Sequence, residues 1–128
     1  MQKQQVFLTV LGISMAIVAQ GCLVAAVGAG AGTIAYIKGD LEVVESKNID
    51  VVYEATEKAV EQLGLNVNKK TKDAMSATIV ARDAQDKKVT IKLKATTENT
   101  AKISIRVGIF GSETKSRLIY EQIRENLG

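Results

Sequence analysis

The chain has 128 residues, with 17 basic against 14 acidic, a net charge of +3, no histidine, proline or tryptophan, and one cysteine. The lack of histidine removes the commonest general base and transition-metal ligand, and one cysteine cannot close an internal disulfide. A mild charge balance with 4% aromatic residues is not the footprint of a nucleic-acid binder.

The amino-terminal segment carries Lys3 and then runs from Val6 to Ala19 without a charge. A positive start, an apolar stretch and small residues at its end form the pattern of a secretory signal. The run is shorter than the roughly 20 residues that a spanning helix needs. It leads into Val18-Ala19-Gln20-Gly21-Cys22, which reads as a lipobox, with cleavage before Cys22 and lipid on that cysteine. Ala19 and Gln20 stand where leucine and a smaller residue are more usual. Acylation also disposes of the thiol that an oxidising compartment would leave free. Residues 1–21 are therefore expected to be a lipoprotein signal peptide, with Cys22 as the lipidation site. Leu23, rather than an aspartate, follows the cysteine. That favours the outer membrane with the domain facing the periplasm, and leaves the inner membrane and the cell surface as alternatives.

Residues 22–38 are expected to form a lipid-anchored apolar Gly/Ala spacer. Leu23 to Ile37 lack charge and include Gly28, Gly30 and Gly32. As a helix this stretch would measure about 22 Å, short of the ~30 Å hydrocarbon core. Two readings stand. One is a tether. The other is a membrane-associating segment in which Gly28 and Gly32, a small-xxx-small pair, pack helices into an oligomer. Tyr36 and Lys38 would suit the edge of such a segment. No GK[ST] follows the glycines, so they do not form a phosphate-binding loop.

Residues 39–128 read as one small α+β domain. Leu41, Val43 and Glu45 alternate with Glu42, Val44 and Ser46 as a first strand. Ile49, Val52, Tyr53, Thr56, Ala59, Val60 and Leu63 share a helix face, capped by Asn48 and stopped by Gly64. Four strands follow, built on Leu65 and Val67; Ala77, Ile79 and Ala81; Val89, Ile91, Leu93 and Ala95; and Ile103, Ile105, Val107 and Ile109. Lys69 to Asp73 separates the first two. The last two strands both have odd-numbered apolar sets, so their loop should hold an odd number of residues: Glu98-Asn99-Thr100, or Thr96 to Thr100. A final helix starts at Ser112 and Glu113 and buries Leu118, Ile119, Ile123 and Leu127, with Arg117 and Arg124 in solvent. The order β-α-β-β-β-β-α predicts a small antiparallel sheet with both helices on one face.

No catalytic, metal or cofactor site is expected. Asp83 and Asp86 belong to the turn Ala84-Gln85-Asp86-Lys87 joining two strands. Lys92, Lys94 and Arg106, with Arg82 beside them, share the sheet face opposite the apolar one. That face is either simply solvated or a surface for anionic lipid headgroups or an acidic envelope protein.

Gly21-Cys22, Ala35-Tyr36-Ile37-Lys38-Gly39, Val89-Thr90-Ile91-Lys92, Glu98-Asn99-Thr100 and Ile103 to Gly111 together resemble a family of short proteobacterial lipoproteins known only as a domain of unknown function. The resemblance covers nearly the whole mature chain and implies a lipid-anchored periplasmic domain. It brings no catalytic residues. The expected protein is a non-enzymatic envelope lipoprotein that binds or scaffolds, held to the membrane by its lipid. The alternative is a membrane-associated oligomer assembled through Gly28 and Gly32.

Overall fold

Leu41 and Val43, Ala77 to Ala81, Val89 to Leu93 and Ala101 to Val107 bury their odd-numbered members. Side chains alternate faces along a strand, so each of these segments offers one side to a core. The computed structural model of the chain describes residues 33–128. Among them lie β1 (Thr33–Ile37), β2 (Asp40–Glu45), α1 (Ile49–Gln62), β3 (Asn66–Lys72), β4 (Ser76–Arg82), β5 (Lys88–Thr97), β6 (Thr100–Val107) and α2 (Glu113–Leu127). The strands form one antiparallel sheet in the order β1-β2-β6-β5-β4-β3. Both helices pack on the same face, where Ile79, Ile91, Ile103, Ile105, Val52, Val60, Ile119 and Ile123 form the core. The α+β class and the order β-α-β-β-β-β-α are thus observed from β2 onward. The signal segment 1–21, Cys22, Gly28 and Gly32 lie outside the described residues.

The sheet begins earlier than residue 39. Thr33 to Ile37, assigned above to the spacer, pair with β2. Lys38 and Gly39 join the strands with φ of 52° and 89°, the left-handed pair that a tight two-residue hairpin requires. Tyr36 therefore packs against the core opposite Leu41 and does not mark the edge of a membrane segment.

The helix ends follow their sequence signals. The Asp50 backbone N–H donates to the Asn48 side chain at 2.8 Å, and Asn48 Nδ2 donates to the Glu98 carbonyl. At the other end, Gly64 adopts φ of 68°, and the Leu65 and Gly64 N–H groups donate to the Val60 and Glu61 carbonyls. That is the paired closure that satisfies the last free carbonyls of a helix. Ser112 caps α2 by accepting from the Lys115 N–H.

Four expectations are corrected. The β5–β6 turn has two residues, Glu98 and Asn99, and a bulge at Thr96 supplies the odd residue, so that Ala95 still faces Ala101. Lys69 to Lys72 belong to β3 instead of a loop, because a bulge at Asn68 carries the strand on past Val67. Every residue of β3 is exposed. Beyond the helix cover, Lys70 and Lys72 instead reach back to Glu57 and Asp50 of α1, at 3.0 and 2.6 Å. These contacts raise both lysine pKa values, chiefly through the hydrogen bonds to Glu57 and Asp50. Charged side chains also discourage pairing at this sheet edge. β6 ends at Val107, leaving Ile109 82% exposed. Last, Leu118 is 61% exposed and Tyr120 takes its place in the stripe at 2%.

Tyr120 has a partner that makes its burial tolerable. Its hydroxyl donates to Glu45, which lies at the end of β2 and is itself buried. Burial first, then the hydrogen bond to Glu45 and its charge, pushes the Tyr120 phenol above its ordinary value of 10.0. A raised folded pKa contributes stability below pH 10 that is lost as pH climbs through the folded value. Urea unfolding should show this alkaline loss in the parent and not in Tyr120→Phe. At neutral pH that variant should lose about 1–3 kcal/mol, because the Glu45 carboxylate keeps its burial without its donor. Adding Glu45→Leu should recover part of the loss.

Candidate functional site

The two helices leave the other face of the sheet open, and alternation decides what it carries. Lys92 and Lys94 project there from β5, flanked by Thr78 and Ser76 of β4 and by Ser104 and Lys102 of β6. Lys102 lies directly opposite Lys94, an unfavourable like-charge pairing, but is met by Glu42 at 3.1 Å. Among the described residues Lys92 and Lys94 form no salt bridge. They border a shallow depression of about 410 Å³ with Met75, Thr78 and Ser104. This is a cationic, shallow surface.

Arg106 shares that face but has a different task. Its guanidinium donates to the Lys38 carbonyl at 2.9 Å, to Asp40 at 3.0 Å and to the Ile109 carbonyl. One side chain thus ties the β1–β2 turn to the loop that leaves β6. Gly39 and Gly111 complete the joint, since a Cβ on Gly39 would lie 2.7 Å from the Phe110 carbonyl oxygen, and one on Gly111 would overlap Gly39. Both glycines also have positive φ. Of the three expected cations, the structure brings Lys92 and Lys94 together as a free pair and assigns Arg106 to holding the loop.

The loop lies at the end of the sheet that also carries the β4–β5 turn. Between them opens a cleft of about 580 Å³, lined by Arg82, Lys87, Lys88, Arg106 and the residues Gly108 to Ser112, with Asp86 the single carboxylate in its lining. Of these, Phe110 is 90% exposed. Two large apolar neighbours between glycines are visible in the sequence. They were missed because Ile109 continues the alternation of β6 and so looks like one more buried residue.

Asp83 shapes the turn beside this cleft. One carboxylate oxygen accepts from the Gln85 and Lys87 N–H groups at 2.9 Å each, and the other meets Lys115 of α2 at 3.3 Å. The Lys87 N–H, followed by Lys115 and Gln85, holds its carboxyl below the usual 3.8. Asp86 takes a positive φ of 61° in the same turn, and its carbonyl accepts from Arg82. Among the described residues no three His, Cys, Asp or Glu side chains group as a metal site, and no helix is long and apolar enough to cross a membrane.

Against known proteins, residues 4–126 match the model of the family described as a protein of unknown function, DUF3568, and the chain belongs to that family. No curated protein matches it.

The lowered Asp83 pKa fixes the sign of a pH effect. A depressed folded value contributes stability above the ordinary pKa, and this is lost as pH falls through the folded one. Asp83→Asn should therefore unfold at lower urea than the parent at pH 7, and the gap should close below about pH 4. An unchanged gap at acid pH would mean that the charge on Asp83 does not support the turn.

Proposed function

We propose that this member of the DUF3568 family is a lipid-anchored envelope lipoprotein whose α+β domain is a non-catalytic binding module. Cys22 carries the lipid, the outer membrane holds it, and the domain faces the periplasm. The observation that carries the anchor is the charge-free run ending in Val18-Ala19-Gln20-Gly21-Cys22. The binding role is supported by the open face, where Lys92 and Lys94 stand without carboxylate partners among the described residues while neighbouring cations are engaged. The acids near the cleft have structural duties in turns and ion pairs, which favours binding over chemistry. The Gly28/Gly32 spacing supports a second reading, in which that segment assembles an oligomer in the membrane.

Intact mass of protein extracted from Gram-negative membranes tests the anchor. The expected mass is residues 22–128 plus diacylglyceryl and acyl groups, lost in Cys22→Ser. A full-length mass without lipid would sink the reading. Carbonate extraction of the Cys22→Ser chain separates the second reading, since only an inserted Gly28/Gly32 segment stays with the membrane.

A photo-crosslinking residue placed at Lys92 tests the face. It should trap one discrete partner in intact cells, and trapping should fall when Lys94 is changed to Glu. The same residue placed at Lys58, exposed on α1, should trap none. Equal products from both sites would mean that the open face is only solvated.

A further inference from the structure

The most exposed large apolar pair among the described residues lines a cationic cleft. Ile109 and Phe110 are 82% and 90% exposed, and the cleft they share also gathers Arg82, Lys87, Lys88 and Arg106, with Asp86 in its lining and Asp40 paired to Arg106. Exposed neighbouring apolar side chains on a small domain mark an interaction site more often than scattered ones do. We propose that the Ile109–Phe110 loop is a docking tip that enters the surface of an anionic lipid bilayer, with Lys87, Lys88 and Arg82 meeting the headgroups.

Three observations carry this. The first is composition: two highly exposed apolar side chains and several cations line one cleft. A bilayer offers both complements side by side, with anionic groups at its surface and hydrocarbon just below. The second is exposure. Ile109 and Phe110 lie in the loop between β6 and α2 and bury little of their surface against the domain, which suits a deformable surface, whereas a protein partner would need a matching pocket. The third is rigidity. The Ile109 carbonyl accepts from Arg106, which also holds the Lys38 carbonyl and Asp40, and Gly111 packs against Gly39 too closely for any side chain. The tip is thus held in place before it meets a membrane, and little ordering entropy opposes docking. Lys87 and Lys88 are both exposed and, among the described residues, form no salt bridge.

The proposal concerns a site apart from Cys22 and does not rest on lipidation. The chain has no tryptophan, so Phe110→Trp places a single reporter on the tip of the full-length protein. The probe is vesicles of phosphatidylcholine with and without phosphatidylglycerol, some with bromine on the acyl chains. On anionic vesicles the emission should shift to the blue and be quenched by the brominated chains. On phosphatidylcholine alone it should stay water-like. Adding Lys87→Gln and Lys88→Gln should lower the ratio of inserted to exposed tip roughly 25-fold, at about fivefold per cation. Water-like, unquenched emission from protein that floats with the anionic vesicles would overturn the tip while leaving the anchor standing. Equal insertion into neutral vesicles would overturn the headgroup role and with it the proposal. Blue-shifted, quenched emission that persists in Cys22→Ser would support the tip independently of the lipid.

Discussion

Because only one face of the sheet is buried, a strand that slips by one residue turns its whole apolar set into solvent. The pairings among β2, β4, β5 and β6 obey this constraint. Leu41 faces Ile105, Ile91 faces both Ile79 and Ile105, and Leu93 faces both Ala77 and Ile103. Connections adapt to the register and not the reverse. The five-residue turn Asp83 to Lys87 has the odd length that its odd-numbered strands require. The β5–β6 turn has an even length, so Thr96 bulges to keep the strands in phase. The Lys38-Gly39 turn is also even and has no bulge. β1 accordingly turns its even positions toward the core side, with Tyr36 half-buried opposite Leu41 and Ile34 opposite Val43 but still exposed at the sheet edge.

This constraint explains what could be read from the residues and what could not. β2, β4, β5 and β6 were legible because their alternation serves a buried face, and α1 because Asn48, Gly64 and a continuous stripe agree. β1 and β3 were obscured for opposite reasons. Thr33 to Ile37 follow an apolar stretch, so their composition offers no boundary at which a strand starts. Lys69 to Lys72 lie on an edge outside the helix cover, where the core no longer dictates residue type and ion pairs to α1 replace burial. The bulges at Asn68 and Thr96 insert one residue each, and no local composition marks them. Leu118 fits the stripe by hydrophobicity alone, yet it faces solvent. Tyr120 occupies the inward position because Glu45 can satisfy its hydroxyl, a pairing 75 residues apart in sequence.

The candidate surfaces followed the same logic. Lys92 and Lys94 were legible as open-face residues, since strand alternation determines their side. Whether a cation on that face is free depends on long-range geometry. Arg106 is separated by 66 residues from Asp40, yet register places both at the same end of adjacent strands. There it joins the β1–β2 turn to the loop after β6, and Gly39 and Gly111 allow the two backbones to touch. A residue that looked like part of a binding face is instead the clasp that holds Ile109 and Phe110 outward.

The arrangement separates the surfaces by end and by face. The tip, the Lys38-Gly39 turn and the Asp83–Lys87 turn share one end of the sheet, whereas Lys94 lies toward the β5–β6 turn at the other. β1 starts at Thr33, opposite Val44, and runs toward the tip end over five residues, or about 17 Å. Arg106 faces the open side and also holds the loop at the tip end, so a change there acts on both surfaces, whereas Lys94 stands toward the other end and belongs to the open face alone.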